Sequence, residues 1–287
     1  MATMRERNDR KSGKKQGFKG RSEPPRDKGW SPRVDADSKP REPRRIEPDN
    51  LLWGRHPVLA ALANPARKGM GRLIVTTDRA EEIESGSLAP HGHRAEVMDA
   101  PALAKLLPPG AAHQGFVFKV APLEGVSLDE LAEPAQGVIV MLDQITDPQN
   151  VGAIFRSALA FGARGIVVQD RHSPSLSGAL AKAAVGATER LPHARVTNLS
   201  RALERLAEAG WRAVAMDGEA QLTLEEALDG GPTVIVMGSE GDGVRRLVAE
   251  HCDVAAKIPM PGGFESLNVS NAAAIALYEA ARAAARR

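Results

Sequence analysis

An α/β protein built around a parallel sheet is the fold this sequence predicts, and three observations predict it. Past residue 137, unbroken apolar runs (VIVMLD, GIVVQD, RAVAMD, TVIVMG, VAAKI) alternate with amphipathic stretches whose apolar residues recur every three or four positions. Strands buried on both faces read as continuous apolar runs, and parallel strands need helical crossovers, so the alternation implies a sheet covered by helices on both sides. Hydrophobic residues make up 43% of the chain and aromatics only 3%, which assigns the core to Ala, Val, Leu and Ile. Glycine-rich and polar clusters follow these strands at their carboxyl ends, where open α/β sheets bind ligands.

The 287 residues suggest about two domains. No apolar run is long enough to span a bilayer and the first residues are charged, so neither a membrane span nor export is expected, and the expected location is cytoplasmic. A single cysteine, Cys252, rules out an internal disulfide, and the seven histidines lack zinc-site spacing, so no metal is expected. Charge is distributed unevenly. Residues 1–50 hold 15 Lys/Arg against 9 Asp/Glu, while the rest holds 23 against 27.

Residues 1–50 combine that basic charge with Gly, Pro and Ser and have almost no apolar periodicity, which predicts a disordered basic extension. With Phe18 and Trp30 interleaved, it suits either non-specific RNA contacts or a solubilising role. Folded structure is expected from Leu51. LLWGRHPVLAALANP predicts a helix after Pro57, RLIVTTD a strand, PALAKLL a short helix and GFVFKV a strand, making a small α/β domain over residues 51–121. Residues 122–136 read as a linker with one short helix, capped by Ser127 and Glu130. Residues 137–287 form the large domain, where Thr223 and Glu226 mark a second capping box.

Three segments of this large domain carry candidate chemistry. In DPQNVGAIFRSALAFG, Val151, Ile154, Phe155, Ala158 and Leu159 form a buried stripe; Asn150 occupies an N-cap position and Arg156 lies off the stripe. Read locally, the pair is either a cap and a solvated charge or part of a site. In GSEGDG, three glycines close a strand and permit close backbone approach to a ligand, but their spacing is not that of a dinucleotide fingerprint. An ordinary tight turn with a surface Glu240 fits the local pattern equally well. In KIPMPGGFESLNVSN, Pro259, Pro261, Gly262 and Gly263 set an irregular loop, and Ser266, Asn268, Ser270 and Asn271 crowd the start of a helix of about thirteen residues. A helix start uses one capping residue, so the surplus polar side chains point to another partner. The helix buries an alanine-lined face of Val269, Ala272, Ala273, Ala276, Leu277 and Ala280.

Together these segments resemble the SpoU/TrmH family of RNA ribose 2′-O-methyltransferases, in the SPOUT superfamily. The family's Asn-x-Gly-x-x-x-Arg pattern is met by Asn150, Gly152 and Arg156, its Gly-x-Glu-Gly by Gly238, Glu240 and Gly241, and its third by Ile258–Met260 and Ser266–Ser270. WGRHPVLAAL, HQGFVFKV and KAAVGATERLPHARVTNLSRAL are similar to the subgroup that methylates a guanosine ribose of 23S rRNA, which carries a small N-terminal RNA-binding domain.

The resemblance implies a trefoil-knotted C-terminal SPOUT domain and a homodimer with active sites at its interface. It implies S-adenosyl-L-methionine held by Gly238, Ile258, Met260 and Leu267. Arg156, Asn150, Glu240, Ser266 and Asn268 are then the catalytic residues. In the family the motif arginine acts on the 2′-hydroxyl with help from an RNA phosphate; because guanidinium stays protonated, our expectation is that Arg156 clamps that phosphate and lowers the hydroxyl pKa electrostatically. Ser266 and Asn268 would orient loop, ribose or cofactor, and Glu240 would fix Arg156 or Asn150. The expected substrate is 23S rRNA. A tRNA ribose methyltransferase of the same family, and an RNA-binding assembly factor without catalysis, are the alternatives.

Overall fold

In a computed structural model, residues 50–67, 69–84, 94–262 and 266–286 are described. The expected disordered basic extension, but for Asn50, lies outside them, as does Gly263.

The first part of the chain builds a four-stranded sheet from β1 (Leu51–Trp53), β2 (Arg72–Val75), β3 (Ala95–Val97) and β4 (Phe116–Lys119), in the order β1-β4-β2-β3. Strand β4 runs antiparallel to both β1 and β2, and β3 is parallel to β2. Helices α1 (Arg55–Ala63), α2 (Thr77–Glu84) and α3 (Ala100–Ala104) join these strands. The strand expected from RLIVTTD ends at Val75, because Thr77 and Asp78 open α2. Asp99 caps α3, its side chain accepting from the Ala102 N–H at 2.6 Å. Phe116 and Phe118 are fully buried in the core of this sheet.

The remainder forms a seven-stranded sheet from β5 (Val138–Leu142), β6 (Gly165–Gln169), β7 (His193–Val196), β8 (Arg212–Met216), β9 (Leu222–Thr223), β10 (Thr233–Met237) and β11 (Val254–Lys257). Their order is β7-β6-β5-β10-β8-β11-β9, and every pairing is parallel, as the apolar runs imply. Helices α4 (Leu128–Ala132), α5 (Pro148–Ala160), α6 (Gly178–Ala184), α7 (Leu199–Glu208), α8 (Leu224–Ala227), α9 (Arg246–Ala249) and α10 (Val269–Ala285) cover it. Alternate residues of β5 face opposite cores, since side chains along a strand point to alternate sides. Val140 and Leu142 pack with Ile154 and Phe155 of α5, Leu180 of α6 and Leu277 of α10, whereas Ile139 and Met141 pack with Leu131 of α4, Leu203 and Leu206 of α7, and Trp211. Each such fully buried large side chain is worth about 1.5–3 kcal/mol.

Both capping boxes form, Ser127 with Glu130 and Thr223 with Glu226. In each the glutamate carboxylate accepts from the cap's backbone N–H and hydroxyl, which holds its pKa below the usual value. The segment read as a linker packs into the sheet: Leu131 and Ala132 are buried, and Trp211 Nε1 donates to Ala132 O at 2.8 Å. Strand β7 was not expected. Helix α9 is only four residues long, and α10 runs for seventeen residues rather than thirteen. Among the described residues no helix is long and apolar enough to cross a membrane.

Topology places the functional segments. The chain steps outward from β5 through β6 to β7, then returns to the other side, and β10 settles between β5 and β8. The carboxyl ends of β5 and β10 therefore meet where strand order reverses, the usual ligand position in such sheets.

Candidate functional site

The loop after β10 is tight because its glycines make it so. Ser239 and Gly243 exchange backbone hydrogen bonds, Ser239 N to Gly243 O at 3.1 Å and the reverse at 3.0 Å. Gly241 and Gly243 sit at φ +93° and +68°, a region that disfavours side chains. A Cβ on Gly238 would fall 1.9 Å from the Gly243 carbonyl carbon, so any side chain there would force the loop open.

The exit from this loop is clamped. Asp143, fully buried at the end of β5, accepts from the Arg245 backbone N–H at 2.9 Å and from Arg245 Nε at 2.8 Å, with Nη2 of the same guanidinium at 2.6 Å. The Asp143 N–H in turn donates to Met237 O at 2.8 Å. One carboxylate thus ties β5, β10 and the glycine loop together, an arrangement with no local signal in the sequence.

At the third segment Asn268 is the N-cap of α10, its Oδ1 accepting from Ser270 N at 3.0 Å and Asn271 N at 3.4 Å. Its other end supplies the partner that the surplus polar residues called for. Asn268 Nδ2 donates to Asn150 Oδ1 at 2.9 Å and to Glu240 Oε1 at 2.9 Å. Glu240 Oε1 also accepts from Asn150 Nδ2 at 3.1 Å and from the Val269 N–H at 3.3 Å. All three segments meet in this cluster.

Two expectations are corrected here. Asn150 is not an N-cap: Asp147 caps α5 by accepting from Gln149 N at 2.9 Å, Pro148 opens the helix, and Asn150 falls inside the first turn with its amide free to cross to Glu240. Of the two partners expected for Glu240, the structure supplies Asn150 and not Arg156. Arg156 is exposed further along α5 and makes no hydrogen bond or ion pair with any described residue. Gly152 has no room for a Cβ, which would come 2.5 Å from Leu180 O, so α5 lies directly on α6.

A cavity of about 490 Å³ opens beside the cluster. Gly238, Ile258, Met260 and Leu267 line it, and so do Glu240, Ser266 and Asn268; Asn150 and Arg156 do not. Ser266 makes no hydrogen bond to another described residue. Met216, Asp217 and Gly218 at the end of β8, and Lys257 at the end of β11, complete the wall and were missed by sequence reasoning. Their one sequence signal was an apolar strand ending in Asp-Gly, but only the adjacency of β8 to β10 gives that signal meaning. No described histidine lines the cavity. Elsewhere, burial, with Asp253 and Asp143 adding to it, pushes the Cys252 thiol up to about 12, so it is no nucleophile at neutral pH.

The sequence matches the SpoU rRNA Methylase family over residues 137–278 and the "RNA 2'-O ribose methyltransferase substrate binding" family over residues 51–126. A Mycolicibacterium smegmatis protein named "Uncharacterized tRNA/rRNA methyltransferase" is 38% identical over 246 residues, covering 83% of this chain and 78% of its own length. The chain belongs to the SpoU family of RNA methyltransferases. Another relative, the 23S rRNA (guanosine-2'-O-)-methyltransferase RlmB of Pseudomonas syringae, is 44% identical over 175 residues, which is 59% of this chain and 70% of that protein. Among solved SpoU structures, AviRb from Streptomyces viridochromogenes in complex with AdoMet superposes with a TM-score of 0.67 at 28% identity, over 81% of this chain and 89% of the other. An AdoMet-bound rRNA methyltransferase from Sinorhizobium meliloti gives 0.65 at 25% identity, over 81% and 86%.

The cavity fits the SpoU cofactor, S-adenosylmethionine. Met216, Met237, Ile258 and Leu267 offer apolar wall that suits a heteroaromatic ring, Asp217 and Glu240 carry negative charge that suits a sulfonium and an ammonium, and Lys257 suits a carboxylate. The missing Cβ of Gly238 lets the Gly243 backbone pack against the strand end, and Gly238 itself lines the cavity.

Proposed function

We propose that this SpoU methyltransferase methylates the 2′-hydroxyl of a guanosine ribose in 23S rRNA. The observation that carries the reading is the Asn150–Glu240–Asn268 cluster at the mouth of the cavity, with Arg156, which pairs with no described residue, on the same helix as Asn150. Similarity to the Pseudomonas syringae 23S rRNA enzyme supports the choice of RNA, and residues 51–126 match a ribose methyltransferase substrate-binding family.

S-adenosylmethionine supplies an electrophilic methyl group on a sulfonium that is already an excellent leaving group. The protein's task is therefore to align the 2′-oxygen with that methyl and to ease the loss of the hydroxyl proton to water. Alignment contributes about 7–11 kcal/mol in well-oriented systems. Gly238, Ile258, Met260 and Leu267, which line the cavity, would hold the cofactor through backbone and apolar contact. Glu240, by accepting three N–H groups, fixes the side chains of Asn150 and Asn268 in one orientation. With Ser266, whose hydroxyl bonds to no other described residue, these amides orient the ribose. Arg156 takes the phosphate beside the target ribose with its bidentate fork and lowers the pKa of the 2′-hydroxyl electrostatically.

The active unit is a homodimer, with α10 part of a knotted C-terminal segment. Support comes from an exposed apolar strip on α5 and α10: Phe161, Ile275 and Tyr278 are 38%, 37% and 50% exposed, and the rings of Phe161 and Tyr278 meet edge to face at 5.9 Å. Sedimentation of the purified chain measures this directly, and a monomer that retains full activity would contradict it.

The substrate is tested by incubating the protein with methyl-labelled S-adenosylmethionine and either unmodified 23S rRNA or tRNA. Label in 23S rRNA at one nucleotide is expected. Label in tRNA alone would replace the substrate while keeping the chemistry.

A further inference from the structure

The four-stranded sheet and the catalytic sheet are joined by more than the chain between them. Arg67 ends a 3-10 turn (Pro65–Arg67) after α1, and Glu189 ends another (Ala187–Glu189) after α6. They are 122 residues apart in sequence, and their side chains are 3% and 1% exposed. The guanidinium grips the carboxylate with both prongs, Nε to Oε2 at 2.7 Å and Nη2 to Oε1 at 2.8 Å, while Nη1 donates to Ala121 O at 2.7 Å. Asn64 Nδ2 adds bonds to Glu189 Oε2 at 3.0 Å and to Glu189 O at 3.2 Å.

A buried ion pair contributes little net stability against its desolvation, but it holds its partners in one geometry. The surroundings are equally fitted. A Cβ on Gly186 would meet Ala60 of α1 at 2.6 Å, and Ala181 of α6 sits in the core of the four-stranded sheet with Leu52 and Val58. Lys182 Nζ donates to Gln114 Oε1 at 2.7 Å. The same α6 carries α5 on its other side at Gly152, and α5 holds Asn150 and Arg156.

We propose that the Arg67–Glu189 pair fixes the pose of the RNA-binding four-stranded sheet relative to Asn150 and Arg156, so that the enzyme accepts only RNA whose docked element and target ribose lie a set distance apart. Arg67 and Glu189 are positioning residues for substrate choice and touch neither RNA nor cofactor. The inference rests on the reading of the chain as an RNA 2′-O-methyltransferase.

The test uses the full chain and whichever of 23S rRNA or tRNA the wild type labels. Arg67→Gln is compared with wild type in kcat/KM for that RNA and in the dissociation constant for S-adenosylmethionine. The expected result is a fall of about tenfold or more in kcat/KM with cofactor affinity unchanged within about twofold. Arg67→Lys, which keeps the charge and stem but loses the fork, is expected to lie between the two and guards against a misfolded Arg67→Gln. An unchanged kcat/KM in both variants, or a fall that only tracks lost cofactor binding, overturns the positioning role while leaving the enzyme assignment intact. A wild type that labels neither RNA overturns the reading and the inference with it.

Discussion

Asn268 Nδ2 lies 2.9 Å from Glu240 Oε1, joining the cap of the last helix to the glycine loop that follows β10. The same asparagine caps α10 with its oxygen, so its two ends do separable work. Asn268→Ala is expected to cost about 1 kcal/mol of stability through the lost cap, yet to lower kcat by about a hundredfold because the site loses its alignment. Asn268→Asp separates the two: it retains the cap oxygen, loses the donor and sets a second carboxylate against Glu240. Near-normal melting with turnover as low as in the alanine variant is the expected outcome, and normal turnover would reduce Asn268 to a cap.

Gly238→Ala tests the close approach at the strand end. With its Cβ placed 1.9 Å from Gly243, the loop must move. Overpacking of this kind costs about 1–3 kcal/mol, so the protein stays folded while S-adenosylmethionine affinity, read by calorimetry, falls sharply.

The Asp143–Arg245 clamp has an asymmetry. Asp143 is fully buried and the Arg245 side chain is 43% exposed. Arg245→Ala leaves a buried carboxylate with only a backbone donor and is expected to cost about 3–5 kcal/mol. Asp143→Asn leaves an arginine that turns to solvent, at about 1–3 kcal/mol. Urea denaturation of the two variants gives the order, and a more damaging Asp143→Asn would refute the burial argument.

How much of this was legible in the sequence follows from the range of the interactions. The capping boxes at Ser127–Glu130 and Thr223–Glu226 were readable because both partners lie within one turn. The strands of the large sheet were readable because apolar runs report burial on two faces. Strand β7, HARV, is an edge strand with Arg195 and Val196 half-exposed, and its periodicity carries no such signal. Asn150 stands at a position that also reads as a cap, but Asp147 and Pro148 just before it are a better cap and first helical residue. Asp143, Asp217 and Lys257 acquire meaning only from strand order, which brings β5, β10, β8 and β11 side by side.

A pH dependence follows from His193. Burial, reinforced by the nearby Arg195 charge, lowers its pKa from 6.5 to about 4, and its ring packs against Phe155 at 6.3 Å with Nε2 bonded to no described residue. The unfolded chain takes up a proton below 6.5 and the folded chain only below about 4. The contribution of the neutral ring is therefore complete above the higher value and is lost as pH falls through the lower one, amounting to about 3 kcal/mol. Unfolding midpoints measured across that range should fall in the wild type and fall less in His193→Gln.

Arg156 bears on how the hydroxyl is activated. With no hydrogen bond or ion pair to any described residue, the guanidinium is available to RNA, and lysine cannot reproduce a bidentate phosphate contact. Arg156→Lys is expected to lower kcat about a hundredfold or more with S-adenosylmethionine affinity preserved. Nearly full turnover in that variant would remove Arg156 from the mechanism.

The most direct test of the central claim, that the three segments form one ribose-methylating site, is the atom that receives the methyl group. RNA labelled by the wild type is digested to nucleosides and the labelled species identified. Label in 2′-O-methylguanosine is the expected result. Label on a base, or no label in any RNA despite bound cofactor, would contradict the account.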